Sequence, residues 1–217
     1  MTLTFDPSTD LETITDGLQA VTVKFPGSAT STSVTHALRR AVSIGEAEAS
    51  KGRYTTSDVN WRFPQSECPT RPPLGSKIVD ASGVYWTVLN VDNVVLSSGW
   101  RCMTRALEVV AGLNTTIRID KAKASKGLAG EYKAEFFEYA SLKARIQEVG
   151  STSTRELGLK FARRQFRIIV SEEISVDNSM RVVADDGTTY QVDGYEQAER
   201  IDALPVILAS TDPYPEV

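Results

Sequence analysis

Residues 75–92 (GSKIVDASGVYWTVLNVD) and residues 179–195 (SMRVVADDGTTYQVDGY) write one pattern twice. Each opens on a base (Lys77, Arg181) followed by two aliphatic residues (Ile78-Val79, Val182-Val183). An acidic turn closing on glycine comes next, Asp80 to Gly83 and Asp185 to Gly187. An outgoing segment then carries an aromatic and a valine at equal spacing, Trp86 and Val88 against Tyr190 and Val192. The matched positions Lys77/Arg181, Gly83/Gly187, Trp86/Tyr190 and Val88/Val192 all lie 104 residues apart. Only three of the fifteen aligned positions from 77 to 91 are identical, so residue class and spacing carry the repeat. An internal repeat fixes domain count before other signals do. The chain is therefore expected to be mainly β, as two tandem small antiparallel β-barrel or sandwich domains, 1–112 and 113–217, with at most one short helix.

Composition narrows the function classes. At 217 residues each half is long enough to bury its own core. Net charge divides as −1 over residues 1–112 (10 basic, 11 acidic) and −3 over 113–217 (14 basic, 17 acidic). That is not the basic excess of a protein that grips nucleic-acid phosphates. No apolar run approaches the ~20 residues needed to span a bilayer, and the start, MTLTFDPSTDLET, lacks the basic and apolar regions of a secretion signal. The expected location is the cytoplasm, with no membrane partner. Cys68 and Cys102 are expected to be free, partly buried thiols. Together with the single His36 they are too few for a closed zinc site.

Strand signals dominate the chain. Gln19 to Phe25 alternates and is rich in β-branched residues, and Val59 to Phe63 reads as a strand ended by Pro64. His36 to Ser50 gathers Ala37, Leu38, Ala41, Val42 and Ile44 on roughly one helical face, interrupted by Gly45. The CPTRPPLG stretch must be an extended loop, and Arg101 to Val109 would finish the first domain. After Gly112 come Thr115 to Ala124, a turn at Lys126 to Gly130, and Glu131 to Tyr139 running back. Leu142, Ala144, Ile146 and, one step off, Val149 mark a further strand, followed by a loop at Ser151 to Thr154. Gln165 to Val170 echoes Val59 to Phe63, with Phe166 standing 105 residues after Trp61. Ile201 to Leu208 would close the second domain. Short strands punctuated by turns point to small barrels or sandwiches rather than a parallel α/β sheet.

No catalytic constellation emerges, and the chain reads as a non-enzyme with no cofactor, no metal and no catalytic or binding residues to assign. A nucleophilic triad would have to use His36, which no spacing ties to either cysteine. Lys126 to Gly130 is glycine-rich but lacks the Gly-Lys-Ser/Thr ending of a phosphate loop. Asp185-Asp186-Gly187 reads as a hairpin turn, since the further acidic positions of a calcium loop are missing. Glu172 and Glu173 are adjacent, so on a strand they point to opposite faces. Arg39-Arg40 and Arg163-Arg164 with Arg167 read as solvated or salt-bridged faces on an acidic chain.

The stretch from Thr115 to Leu208, just under half of the chain, resembles the phage head–tail connector proteins, variously called joining, adaptor, stopper or head-closure proteins. The resemblance is carried by Phe166 to Val170, Arg181 to Val183, Asp186-Gly187, Tyr190-Gln191-Val192 and Ile201 to Leu208. The first half matches more loosely, through VNWRFP, the proline loop and GSKIVDASGVYWTVLNV, and the family's members are usually single domains of about half this length. What the resemblance implies is a structural virion protein of the neck, assembled in the cytoplasm into a homo-oligomeric ring between portal or adaptor and tail proteins. DNA would pass through the lumen without sequence-specific binding, and an acidic subunit suits such a channel. A tandem form would fill two layers of a neck or halve the number of subunits in a ring. Ser28 to Ser57 and Cys68 to Leu74 are the candidate plug or docking loops.

Two other readings remain open on sequence. One is another ring-forming tail protein, such as a tail terminator, tail tube or baseplate component. The other is a monomeric β-sandwich module that binds a carbohydrate or other ligand through Trp61, Trp86 and Trp100. Trp61 and Trp86 fall in strand patterns that read as core, so only Trp100 is expected at a loop edge.

Overall fold

The computed structural model describes residues 16–28, 30–94, 98–126, 132–156, 159–211 and 214–215. Residues up to Val110 and residues from Ala111 onward form two compact units.

The first unit is a closed barrel of six antiparallel strands: β1 (Leu18–Lys24), β2 (Ser31–Ala41), β3 (Val59–Pro64), β4 (Lys77–Val79), β5 (Tyr85–Asn93) and β6 (Gly99–Arg105). Around the barrel the order is β1-β2-β3-β6-β5-β4, and a β1–β4 ladder closes it. Inward positions carry Val21, Val23, Val34, Trp61, Phe63, Ile78, Trp86 and Val88. Each aliphatic side chain buried there contributes roughly 1.5–3 kcal/mol. Among the described residues two short helices are present where at most one was expected: α1 (Ile44–Ala49) and α2 (Leu107–Ala111). A capping box between Ser43 and Glu46 starts α1.

The second unit holds β7 (Thr115–Lys126), β8 (Tyr132–Glu156), β9 (Leu159–Val170), β10 (Met180–Ala184), β11 (Thr189–Glu196), β12 (Val206–Ser210) and β13 (Tyr214–Pro215). Its sheet runs β12-β11-β10-β7-β8-β9-β13, and a further β12–β9 ladder joins the two ends. Strands β7 to β12 therefore form a closed cycle of ladders, in the order β7-β8-β9-β12-β11-β10. This is the order of the first barrel, strand for strand.

The register repeats as well as the order. Lys77↔Thr87, Ile78↔Trp86 and Val79↔Tyr85 recur as Arg181↔Gln191, Val182↔Tyr190 and Val183↔Thr189, each 104 residues on. Gln19↔Ala37 recurs as Thr115↔Ala144, and Thr22↔Val79 as Arg118↔Val183, so β1 and β7 are offset by 96 on both sides. Trp61↔Cys102 recurs as Ile168↔Ile207, and the bulge between Val88 and Asn90 as the bulge between Val192 and Gly194. The hairpin turns share their bonds too. Gly83 N donates to Asp80 O (2.9 Å) and Asp80 N to Val84 O (3.2 Å); Gly187 N donates to Ala184 O (3.0 Å) and Ala184 N to Thr188 O (2.9 Å). Both glycines sit at positive φ, +77° and +85°, which an L side chain resists.

Several expected elements shift. The matching of β3 to β9 places Ile168, not Phe166, opposite the role of Trp61, because the offset there is 107 rather than 105. Residues 36–41 belong to β2 rather than a helix, since ladders to β1 and β3 outweigh the weak helical spacing. The strand expected at Arg101 to Val109 gives way to α2 after Arg105, and β12 begins only at Val206. Ser151 to Thr154 continues β8 instead of forming a loop. The turn expected at Lys126 to Gly130 lies outside the described residues beyond Lys126.

Candidate assembly surface on the second barrel

Strand β8 is 25 residues long, and the barrel uses only its middle. On one side, β7 pairs with it from Thr115↔Ala144 to Lys126↔Tyr132. On the other, β9 pairs with it from Ala144↔Val170 to Glu156↔Leu159. The two flanking ladders thus overlap only near Ala144, and β8 leaves the barrel at both ends, each time as half of a long hairpin. A register shift marks each departure. Tyr139 is the extra residue between the partners of Ile119 and Asp120, and Val149 is the extra residue between the partners of Phe166 and Gln165. Such bulges bend a strand and raise its twist. Val149 at a bulge also explains why its apolar alternation falls one step late.

Among the described residues, β8 has no buried side chain from Glu135 to Tyr139. All of these are exposed, including Phe136, Phe137 and Tyr139 at 41%, 47% and 45%. Large apolar groups on both faces of a strand are a mark of an interaction surface. The base of the projection is pinned by a polar cluster. Asp120, almost fully buried, accepts from Arg118 Nε (2.8 Å) and from Arg181 Nη2 (3.1 Å). Burial pushes its carboxyl pKa up, but the bonds and charges of the two arginines prevail and hold it below the ordinary carboxylate value. The Arg181 guanidinium lies 3.8 Å from the Phe136 ring centroid, a cation–π contact that ties the hairpin to β10. Lys121 stands 5.8 Å from the Tyr139 ring and 3.6 Å from Asp177.

The basic clusters resolve into pairs. Arg40 and Arg101 both meet Glu46 at 3.1 Å, Arg167 meets Glu196 at 3.1 Å, and Arg164 lies 3.8 Å from Glu148. Arg39 covers the Trp86 ring at 4.7 Å. Of the two expected docking loops, Ser28 to Ser57 contains β2 and α1 and is no loop. Cys68 to Leu74 is irregular, but it is strapped to the first barrel: Trp100 Nε1 donates to Cys68 O (2.7 Å) and Arg71 Nη2 to Val91 O (2.5 Å). Trp100 is part of β6 and 7% exposed, not at a loop edge, so all three tryptophans are core. Packing of β6 on the 64–68 turn, invisible in the local SSGWRC motif, buries it.

His36 serves architecture. Its Nδ1 meets Glu67 Oε1 at 2.5 Å, and the Glu67 carboxylate also accepts from Thr35 N (2.6 Å) and Thr35 Oγ1 (2.5 Å). Burial raises the Glu67 pKa, yet these bonds outweigh it and bring the value down to about 2. Cys68 and Cys102 are both buried and unbridged. Among the described residues, no group of three or more His, Cys, Asp or Glu could hold a metal, and no helix is long and apolar enough to cross a membrane.

What the second barrel offers is long hairpins with exposed apolar side chains at Phe136, Phe137 and Tyr139. Residues 110–211, the second barrel from end to end, match the family model described as phage head completion protein. The match falls on the stretch, Thr115 to Leu208, that carries the resemblance to phage head–tail connector proteins. Among solved structures, a chain of the virion of native gene transfer agent (GTA) particle is 12% identical, covering 45% of this chain and 92% of that one. Its TM-score is 0.37, a likeness too slight to bear on function. Among curated proteins none matches the sequence.

Proposed function

We propose that this chain is a structural protein of the virion neck that joins the portal end of the head to the tail, working as a homo-oligomeric ring through which DNA passes. The observation that carries the reading is the coincidence of the head completion match with the barrel that bears the projecting hairpins. A subunit with different surfaces at its two sides packs head to tail, and such contacts close into a ring when the rotation allows. A net charge of −4 suits a channel wall that must not hold DNA by its phosphates. The buried state of Trp61, Trp86 and Trp100 leaves the carbohydrate-binding alternative without a platform.

The test is cryo-electron microscopy of the protein co-expressed with the portal and major tail protein of its own genome. Ring density between portal and tail, lost when residues 113–217 are removed, is the expected outcome. A protein that remains monomeric and joins none of the virion components overturns the reading.

A further inference from the structure

The β7–β8 projection has two open edges. On the β7 side, β10 reaches only to Lys121↔Met180, with one last bond from Ala122 N to Ser179 O (3.2 Å). Beyond it, among the described residues, no strand pairs with Lys123–Lys126 on that side. On the β8 side the β9 ladder starts at Ala144, so residues 132–142 have β7 on one flank and, among the described residues, no strand on the other. An open edge presents backbone donors and acceptors as a template for another strand.

The bond from Ala122 fixes the orientation of these groups. Because the Ala122 N–H points away from β8, alternation turns the Ala124 N–H outward as well. Phe136, directly opposite Ala122, then turns its own N–H and C=O out of the β8 edge. The two edges also differ in charge. The open stretch of β7 carries Lys123 and Lys126, whereas that of β8 carries Glu135 and Glu138 with one base, Lys133. Two like edges would repel each other, and two unlike edges attract.

We propose that the open β8 edge of one copy pairs with the open β7 edge of a second copy, so that successive β7–β8 hairpins join into one continuous antiparallel sheet. The contact is heterologous, basic edge to acidic edge, and repeats from copy to copy. Phe136, Phe137 and Tyr139 flank the seam and lose their exposure there. The proposal rests on the neck-ring reading and names the surface that builds the ring.

Two variants of the full chain test it. Ala124→Pro removes an outward N–H while leaving every bond between β7 and β8 in place, a position where a strand tolerates proline. Glu138→Lys keeps all backbone groups, and within its own hairpin it replaces a like-charge pair with Asp120. Sedimentation velocity over a concentration series is expected to show self-association of the natural chain. It should weaken by about tenfold or more in Ala124→Pro and by several-fold in Glu138→Lys, with unchanged melting of both. A natural chain that stays monomeric, or an Ala124→Pro chain that associates equally well, overturns the pairing. Incorporation into particles separates this from the neck reading. If both proteins enter the neck equally, the pairing fails and the neck reading stands. If self-association is sensitive to Ala124→Pro but neither protein enters particles, the pairing stands and the neck reading fails.

Discussion

In the first barrel the β1–β2 ladder ends at Lys24↔Ser31, and α1 lies in the connection between β2 and β3. In the second barrel the matching ladders run on to Lys126↔Tyr132 and to Glu156↔Leu159. The closed cycle of strands, its registers and even its hairpin-turn bonds are held in common. The surfaces have diverged, and so have the polar groups that each barrel buries. Barrel closure constrains the interior strictly, because a one-residue slip would turn every inward side chain out. It leaves strand length past the rim unconstrained, and that is where the second barrel has acquired its projections.

Buried carboxylates sharpen the contrast most. Asp58 is fully buried and Arg105 grips it with both arms, Nε to Oδ1 at 2.8 Å and Nη2 to Oδ2 at 2.7 Å. Arg105→Ala leaves that buried charge without its cation, held by the Thr55 N–H (2.8 Å), and should cost about 3 kcal/mol. Tryptophan fluorescence follows it cleanly, since Trp61, Trp86 and Trp100 all belong to the first barrel. Asp80→Ala comes next, at about 2 kcal/mol in the same assay. Its carboxylate accepts from Ser82 N, Val84 N and Trp86 Nε1 (2.9, 3.0 and 2.8 Å). The matching residue of the second hairpin is Ala184, so that turn already stands without this cap, and Ala184→Asp should bring no comparable gain.

Arg181→Ala should cost less, about 1–2 kcal/mol, because Arg118 still faces Asp120. Amide exchange along β7 and β10 reads the effect. A loss as large as that of Arg105→Ala would break the distinction between a singly and a doubly held carboxylate.

The smallest effect depends on pH. Glu67 has a folded-state pKa of about 2 against an ordinary 4.5. Its contribution is complete above pH 4.5 and is lost as pH falls toward 2, because the unfolded chain takes up the proton first. Glu67→Gln should flatten the fluorescence-detected stability profile across that window by about 1 kcal/mol, and an unchanged profile would deny Glu67 its role.

The hairpin repeat was legible because its turns need glycine at positive φ and its strands alternate against a buried face. The projections were not legible, for a physical reason. Ser151 to Thr154 is a run of small hydroxyl residues with no apolar alternation, so it reads as loop although its backbone is laddered to Arg164 through Phe161. The bulge at Tyr139 similarly splits β8 into two apparent strands. In β2 the register shift between Gln19 and Val21 spaces the inward Val34 and Ala37 three apart, which reads as helical rather than strand spacing. Only the Ser43/Glu46 capping box marks where the true helix starts. The candidate surface was thus missed in sequence, where Ser28 to Ser57 and Cys68 to Leu74 stood as the docking loops, and its open edges emerge only from the pairing of strands.

One mechanical consequence follows from β8 being a single uninterrupted segment. Its ladder to β7 lies toward one end and its ladder to β9 toward the other, so a pull between its two ends runs along the strand axis. Inter-strand bonds lie across that axis, and tension therefore shears the ladders to β7 and β9 all at once instead of unzipping them bond by bond. The strand works as a tie-rod, with the barrel as the collar that holds it.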